Sequence, residues 1–143
     1  MIYLSLGSNL GDRAENLRVA RKLLADALKV DLVCSCELET EAIGFDGPAF
    51  LNQVVGLESG IDPVALLDLC QEIEVRMGRP RHKAVCDPAT GKRVYENRII
   101  DIDILIYNDL QVKTKRLTLP HPQVLTRPFV RILLDNIKQQ NTL

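Results

Sequence analysis

Hydrophobic and polar residues alternate in four stretches of the chain, and this alternation predicts four β-strands. The stretches cover residues 2–6, 30–38, 50–58 and 100–106, and the last of them has an isoleucine at every second position. Successive strand residues point to opposite faces of a sheet, so each run places every second side chain in a core. The four runs are long enough to build one sheet.

Apolar residues recur at steps of three and four in two intervening stretches, which predicts two amphipathic helices. The first follows the N-capping residue Asp12, and the second opens with the cap and first-turn proline Asp62-Pro63. A short return strand over 110–112 and a helix over 126–135 follow the fourth strand. The order β-α-β-β-α-β predicts a ferredoxin-like α+β sandwich, an antiparallel sheet with helices packed on one face, in a single domain over residues 1–143.

Two aspartates, Asp101 and Asp103, interrupt the isoleucines of the fourth strand. Residues two apart on a strand share a face and lie about 6.6 Å apart, so both carboxylates project opposite the isoleucines. Neighbouring carboxylates repel each other unless a cation is present, and Mg²⁺ is typically held by one or two carboxylates together with substrate phosphates. A solvent-exposed strand face would carry the same residues, so the pair by itself leaves both interpretations open.

Charge is distributed unevenly along the chain, although the formal net charge is only −1. Residues 1–75 hold 5 Lys and Arg against 13 Asp and Glu, whereas residues 76–143 hold 13 against 6. Basic residues crowd the aperiodic stretch 78–98, and Arg98 is only three residues from Asp101. Arginines on a loop beside two carboxylates suit metal-dependent phosphoryl transfer, in which positioning and charge neutralisation do most of the work.

Phe50 and Asn52 share the face of the third strand that lies opposite Leu51 and Val55. An aromatic ring beside an amide can stack on a planar heterocycle and bind its polar edge. Phe129, near the start of the last helix, could supply a second ring. Packing in a secondary hydrophobic cluster would explain the same phenylalanines.

Composition excludes several classes of protein. With six aromatic residues and no Trp, the chain lacks the stacking platform of a nucleic-acid-binding protein. Its longest nearly apolar stretch, 99–107, is too short and too charged to span a membrane, and the N-terminus does not resemble a signal peptide. Four cysteines without zinc-binding spacing indicate reduced thiols in a cytoplasmic protein. We therefore expect a monomer with small-molecule partners and no nucleic acid or membrane.

Five segments, taken in order, resemble 6-hydroxymethyl-7,8-dihydropterin pyrophosphokinase. They are 6–11 (LGSNLG), 50–52 (FLN), 74–81 (EVRMGRPR), 98–105 (RIIDIDIL) and 116–121 (RLTLPH). The resemblance covers residues 1–131 and implies the same ferredoxin-like fold. It also implies transfer of pyrophosphate from ATP to the hydroxymethyl group of the pterin, a step of folate biosynthesis that yields AMP and the pterin diphosphate.

The resemblance further implies roles for individual residues. Asp101 and Asp103 would hold two Mg²⁺ ions that bridge the ATP phosphates, and Arg79 and Arg98 would act on those phosphates as further catalytic residues. The positions that match the ATP site are Glu74, Arg81, Ile104, Arg116, Thr118, His121 and Arg127. The positions that match the pterin pocket are Thr40, Ile43, Phe50, Asn52 and Phe129, with the two phenylalanine rings sandwiching the bicycle.

The chain departs from the family pattern at a few positions. Glu41 stands where a proline is usual after the pocket threonine, and Glu96-Asn97 replaces the common Gly-Pro before Arg98. Pro122 replaces a common aromatic residue beside His121. These departures concern the pocket wall and the loop, and they leave the aspartate pair unchanged.

Two other functions fit parts of the pattern. A nucleotidyltransferase also combines a Gly-Ser turn with two aspartates, but those elements lie close together in sequence, whereas Ser8 and Asp101 are 93 residues apart here. A non-catalytic ferredoxin-like module that binds a ligand has no need for paired carboxylates beside an arginine-rich loop. Mg²⁺-dependent binding of ATP would discriminate such a module from an enzyme.

Overall fold

The structure, a computed structural model, describes residues 1–42, 47–78 and 98–140. Its strands are β1 (Ile2–Ser8), β2 (Val33–Cys34), β3 (Leu38–Thr40), β4 (Phe50–Leu57), β5 (Asp101–Tyr107), β6 (Val112–Lys113) and β7 (Thr118–Leu119). Its helices are α1 (Arg13–Leu28), α2 (Pro63–Arg76), α3 (Gln123–Thr126) and α4 (Pro128–Gln140). No helix in these three ranges has the length and apolarity that crossing a bilayer requires.

The two long helices after β1 and β4 begin where their capping residues predict. The Asp12 carboxylate accepts a hydrogen bond from the Glu15 N–H, and the Asp62 carboxylate accepts from the first free N–H groups of α2. Pro63 occupies the first turn of α2, where its missing N–H costs no hydrogen bond. Helix α1 ends at Lys29, which adopts a left-handed conformation and donates its N–H to the Ala25 carbonyl.

The main sheet is antiparallel throughout and has the order β2-β4-β1-β5, with β3 also paired to β4. Strand β1 therefore lies between β4 and β5, and the chain pairs β1 with partners that are remote in sequence. The predicted α+β class and the antiparallel sheet are confirmed. Both predicted faces of β4 are confirmed too, since Val55 and Val54 lie in different hydrophobic clusters.

The helices cover both faces of the sheet, so the prediction that they pack on one face is wrong for α4. Helices α1 and α2 bury one face through a cluster that includes Leu24, Ile73 and Ile102. Helix α4 packs on the other face, against Val54 and Leu105. The physical reason is that the second face of the sheet is also apolar, at Val54 and Leu105. Helix α4 has an apolar face at helical spacing and packs against these two residues. The buried residues of α4 are Val130, Leu133, Leu134 and Ile137.

Two strand predictions change in detail. The run 30–38 forms two short strands because the five residues from Cys34 to Leu38 lie opposite only four on β4, from Val55 to Asn52. Within this bulge, the Ser35 hydroxyl accepts the Val54 N–H at 2.9 Å. The predicted return strand is observed as β6 and pairs with β7, a strand that the pattern did not predict. Hydrogen bonds between Thr114 and Leu117 close the turn between the two strands.

Candidate active site

Strand register brings residues from three strands into two adjacent rows on the α4 face of the sheet. Gly7 of β1 pairs with Asn52 of β4 on one side and with Asp101 of β5 on the other. In the next row, Ser5 lies between Val54 and Asp103. Because neighbouring strands are about 4.8 Å apart, each row spans roughly 10 Å from β4 to β5.

Helix α4 covers only part of this face, and the uncovered part of the face forms a cleft. The cleft has a cavity volume of about 50 Å³ and is partly open to solvent. Its lining combines seven predicted site residues with four others: Ser5, Gly7, Thr40, Glu41, Phe50, Asn52, Asp101, Asp103, Gln123, Arg127 and Phe129. The structure thus brings together the aspartate pair and the described pterin-pocket residues, which the sequence places on four separate elements.

Asn52 lines the cleft and is held by hydrogen bonds to β3. Its side chain is buried, and its Nδ2 donates to the Thr40 hydroxyl at 2.8 Å and to the Leu38 carbonyl at 3.1 Å. These bonds aim Oδ1 toward Gly7, where an added Cβ would lie 3.2 Å from that oxygen. Glycine at this position therefore makes room for the Asn52 amide.

The two aromatic rings of the predicted pocket line the same cleft from different elements. Phe50 begins β4, and Phe129 lies in the first turn of α4. The guanidinium of Arg127 lies 6.0 Å from the centre of the Phe129 ring, a distance at which a cation is attracted to the ring face. The two rings, the Arg127 guanidinium and the Asn52 amide therefore all line one cleft.

Asp101 and Asp103 are half-buried and share the cleft face, as the alternation of β5 predicts. Within the described ranges, no set of three or more His, Cys, Asp or Glu side chains is arranged to hold a metal ion. Two carboxylates that leave other coordination positions open suit Mg²⁺, which keeps waters or phosphate oxygens as its remaining ligands. The donor set therefore fits a magnesium ion shared with a phosphate substrate.

Other predicted ATP-site residues lie around β5 outside the cleft lining. Glu74 of α2 is buried, and its carboxylate accepts the Ile102 N–H at 2.9 Å. Burial raises the pKa of the nearby Cys70 thiol, and the negative charges of Glu74 and Asp103 raise it further. Ile104 is buried in the cluster beneath α1 and α2, so its side chain faces away from the aspartates.

The remaining ATP-site positions follow β5 in the chain. Arg116 lies between β6 and β7, exposed, and its guanidinium pairs with the Asp68 carboxylate of α2 at 2.6 Å. Thr118 belongs to β7. His121 donates its N–H to the Leu105 carbonyl, and its Nδ1 accepts the Gln123 N–H at 3.1 Å.

Arg98 is buried directly before β5, and its backbone is bonded to Asn9. Arg79, Arg81 and Ile43 lie outside the described residues. Sequence reasoning missed Ser5, Gly7 and Gln123 as lining residues and noted Glu41 only as a departure from the family pattern. Ser5 and Gly7 alternate with the core residues of β1, but only the pairing with β5 shows that they flank the aspartates.

A family model described as 7,8-dihydro-6-hydroxymethylpterin-pyrophosphokinase matches residues 3–139. The chain belongs to this pyrophosphokinase family. A 2-amino-4-hydroxy-6-hydroxymethyldihydropteridine pyrophosphokinase of Porphyromonas gingivalis is 41% identical over 139 residues, covering 96% of this chain and 90% of that protein. Its namesake in Bacillus subtilis is 36% identical, covering 96% and 78%. A folate synthesis bifunctional protein of Chlamydia caviae is 34% identical, covering 95% of this chain and 30% of that longer protein.

Membership of the pyrophosphokinase family confirms the resemblance found in the sequence. The match extends from β1 into the last turn of α4, so it includes every strand that lines the cleft.

Proposed function

We propose that this pyrophosphokinase transfers the pyrophosphoryl group of ATP to the hydroxymethyl group of 6-hydroxymethyl-7,8-dihydropterin in the cleft, within folate biosynthesis. The observation that carries the proposal is the row formed by Asn52, Gly7 and Asp101. An amide that can bind a heterocycle and a carboxylate that can bind a metal ion lie on one face, about two strand spacings apart. The acceptor hydroxyl and the phosphates would meet between them.

The pterin binds at the β4 side of the cleft in this proposal. Its bicycle stacks between Phe50 and Phe129, and its polar edge exchanges hydrogen bonds with Asn52. The bonds from Asn52 to Thr40 and Leu38 fix the amide before the substrate arrives. Such preorganisation reduces the entropy that is lost on binding.

Asp101 and Asp103 would hold two Mg²⁺ ions at the β5 side, and ions bound there would supply charge neutralisation for the ATP phosphates. Arg98 and Arg79 act on the same phosphates, and the other ATP-site positions of the sequence prediction bind the rest of the nucleotide around β5. The pterin hydroxyl attacks the β-phosphorus, the bond to the α–β bridging oxygen breaks, and AMP leaves. The hydroxyl proton passes to one of the carboxylates or to water.

We also propose that the fold is ferredoxin-like. If β2 and β3 count as one edge strand, the sheet order becomes second, third, first and fourth strand in sequence, with every neighbouring pair antiparallel. Helices α1 and α2 then connect the strands of two split β-α-β units on one face. In this fold, α4 is an addition that covers the opposite face.

The products of the reaction test the proposed function. We expect a mixture of the protein, ATP, Mg²⁺ and 6-hydroxymethyl-7,8-dihydropterin to release AMP, and only when the pterin is present. Chromatography separates AMP from the ADP that an ordinary kinase releases and from the free pyrophosphate that a nucleotidyltransferase releases. ADP or free pyrophosphate as the main product would refute the proposal.

A further inference from the structure

The side chain of Asn9 connects three strand ends at the cleft. Asn9 directly follows β1 and is only 1% exposed. Its Oδ1 accepts the Arg98 N–H at 2.6 Å, and its own N–H donates to the Arg98 carbonyl at 3.0 Å. Its Nδ2 donates to the Pro48 carbonyl at 3.1 Å. One buried amide thus binds the segment before β5 and the segment before β4.

These bonds act close to the residues of the proposed reaction. Pro48 precedes Phe50 by two residues, Arg98 precedes Asp101 by three, and Gly7 precedes Asn9 by two. The backbone before a strand sets where its first side chains project. Through this amide, the pterin side of the cleft at Phe50 and the phosphate side at Asp101 share one anchor.

We infer that Asn9 is a positioning residue for transfer, which fixes the backbone of Arg98 relative to both substrate sides of the cleft. The inference rests on the proposed function and assigns Asn9 no contact with substrate. A reacting group displaced by about 1 Å can lose on the order of a hundredfold in rate. Loss of the Asn9 side chain should therefore lower kcat much more than it changes substrate affinity.

Asn16 provides a matched control in the same loop. Its Nδ2 donates to the Ser8 hydroxyl at 3.0 Å and to the Leu10 carbonyl at 2.8 Å, so Asn16→Ala also removes a loop-stabilising amide. These Asn16 bonds stay within the segment 8–16, whereas those of the Asn9 side chain reach Arg98 and Pro48. General loosening of the loop would affect the Asn16 and Asn9 variants alike, whereas loss of the anchor would affect only Asn9→Ala.

The test measures kcat, both KM values and thermal unfolding for Asn9→Ala and for the control Asn16→Ala. We expect Asn9→Ala to lower kcat by about tenfold to a hundredfold with KM values within about threefold of the wild type. Asn16→Ala should keep kcat within about threefold. Equal losses in the Asn9 and Asn16 variants, or a change in KM alone, would each overturn the inference.

Amide hydrogen exchange of the wild-type protein tests the anchor without reference to activity. The Arg98 N–H lies outside β5 but donates to a buried acceptor, so it should exchange as slowly as the amides of β5. Fast exchange at Arg98 would overturn the anchor even if Asn9→Ala failed to fold. Slow exchange in a protein that forms no AMP would instead leave the anchor intact and refute the proposed function.

Discussion

Substitution of Gly7 by alanine would test how closely the Asn52 amide must approach β1. The φ of Gly7 lies outside the left-handed region, so alanine fits the backbone without strain. Its Cβ would lie 3.2 Å from Asn52 Oδ1 and 3.7 Å from Phe50 Cδ1. The second distance is ordinary contact, whereas the first requires the amide to retreat by a few tenths of an ångström.

Asn52 cannot retreat without distorting its hydrogen bonds to Thr40 and Leu38. A typical hydrogen bond contributes about 0.5–1.5 kcal/mol net, so weakening one should cost up to about 1 kcal/mol. Replacing a glycine within a strand by alanine increases the free energy of unfolding by about 0.5–1 kcal/mol. The free energy of unfolding should therefore change by less than about 1 kcal/mol, while the misplaced amide weakens pterin binding by about threefold to tenfold.

Calorimetric titration with the pterin and, separately, with Mg-ATP measures the two affinities, and chemical denaturation measures stability. Gly60→Ala is the matched control, because among the described residues, apart from its chain neighbours, no atom lies within 4 Å of the Cβ it would add. Unchanged pterin affinity in Gly7→Ala would refute the close-approach argument. A parallel loss of ATP affinity and several kcal/mol of stability would show instead that Gly7 supports the fold.

Three further predictions concern the aspartates, the pocket amide and the thiols. Asp101→Asn and Asp103→Asn should each abolish AMP release with unchanged thermal unfolding, since both side chains project from the core into the cleft; near-normal activity at limiting Mg²⁺ would show that the carboxylate is not a metal ligand. Asn52→Ala should weaken pterin binding by about 1–3 kcal/mol and leave ATP affinity nearly intact, as titration would measure, and equal loss of both would assign the amide to the fold. A maleimide at neutral pH should modify exposed Cys36 well before Cys70, because burial raises the pKa of the Cys70 thiol. Peptide mass spectrometry measures the order of modification, and the opposite order would contradict this prediction.

Local sequence patterns determined the features that depend on neighbouring residues. The isoleucine alternation of β5 places Asp101 and Asp103 on one face, and the side chains of Asp12 and Asp62 begin α1 and α2. Each of these features follows from the period of a strand or from hydrogen bonds within one helical turn. The family motifs added residue roles that no local pattern could supply.

The tertiary structure decided which of these local pieces meet. Gly7 pairs with residues 45 positions and 94 positions away, and only that register aligns Asn52 with Asp101 across β1. The local pattern also did not predict three other features: the bulge between β2 and β3, the pairing of β6 with β7, and the placement of α4 on the second face. Register and helix placement depend on packing between residues that are remote in sequence, because several pairings satisfy the same local alternation and only the complete core selects one.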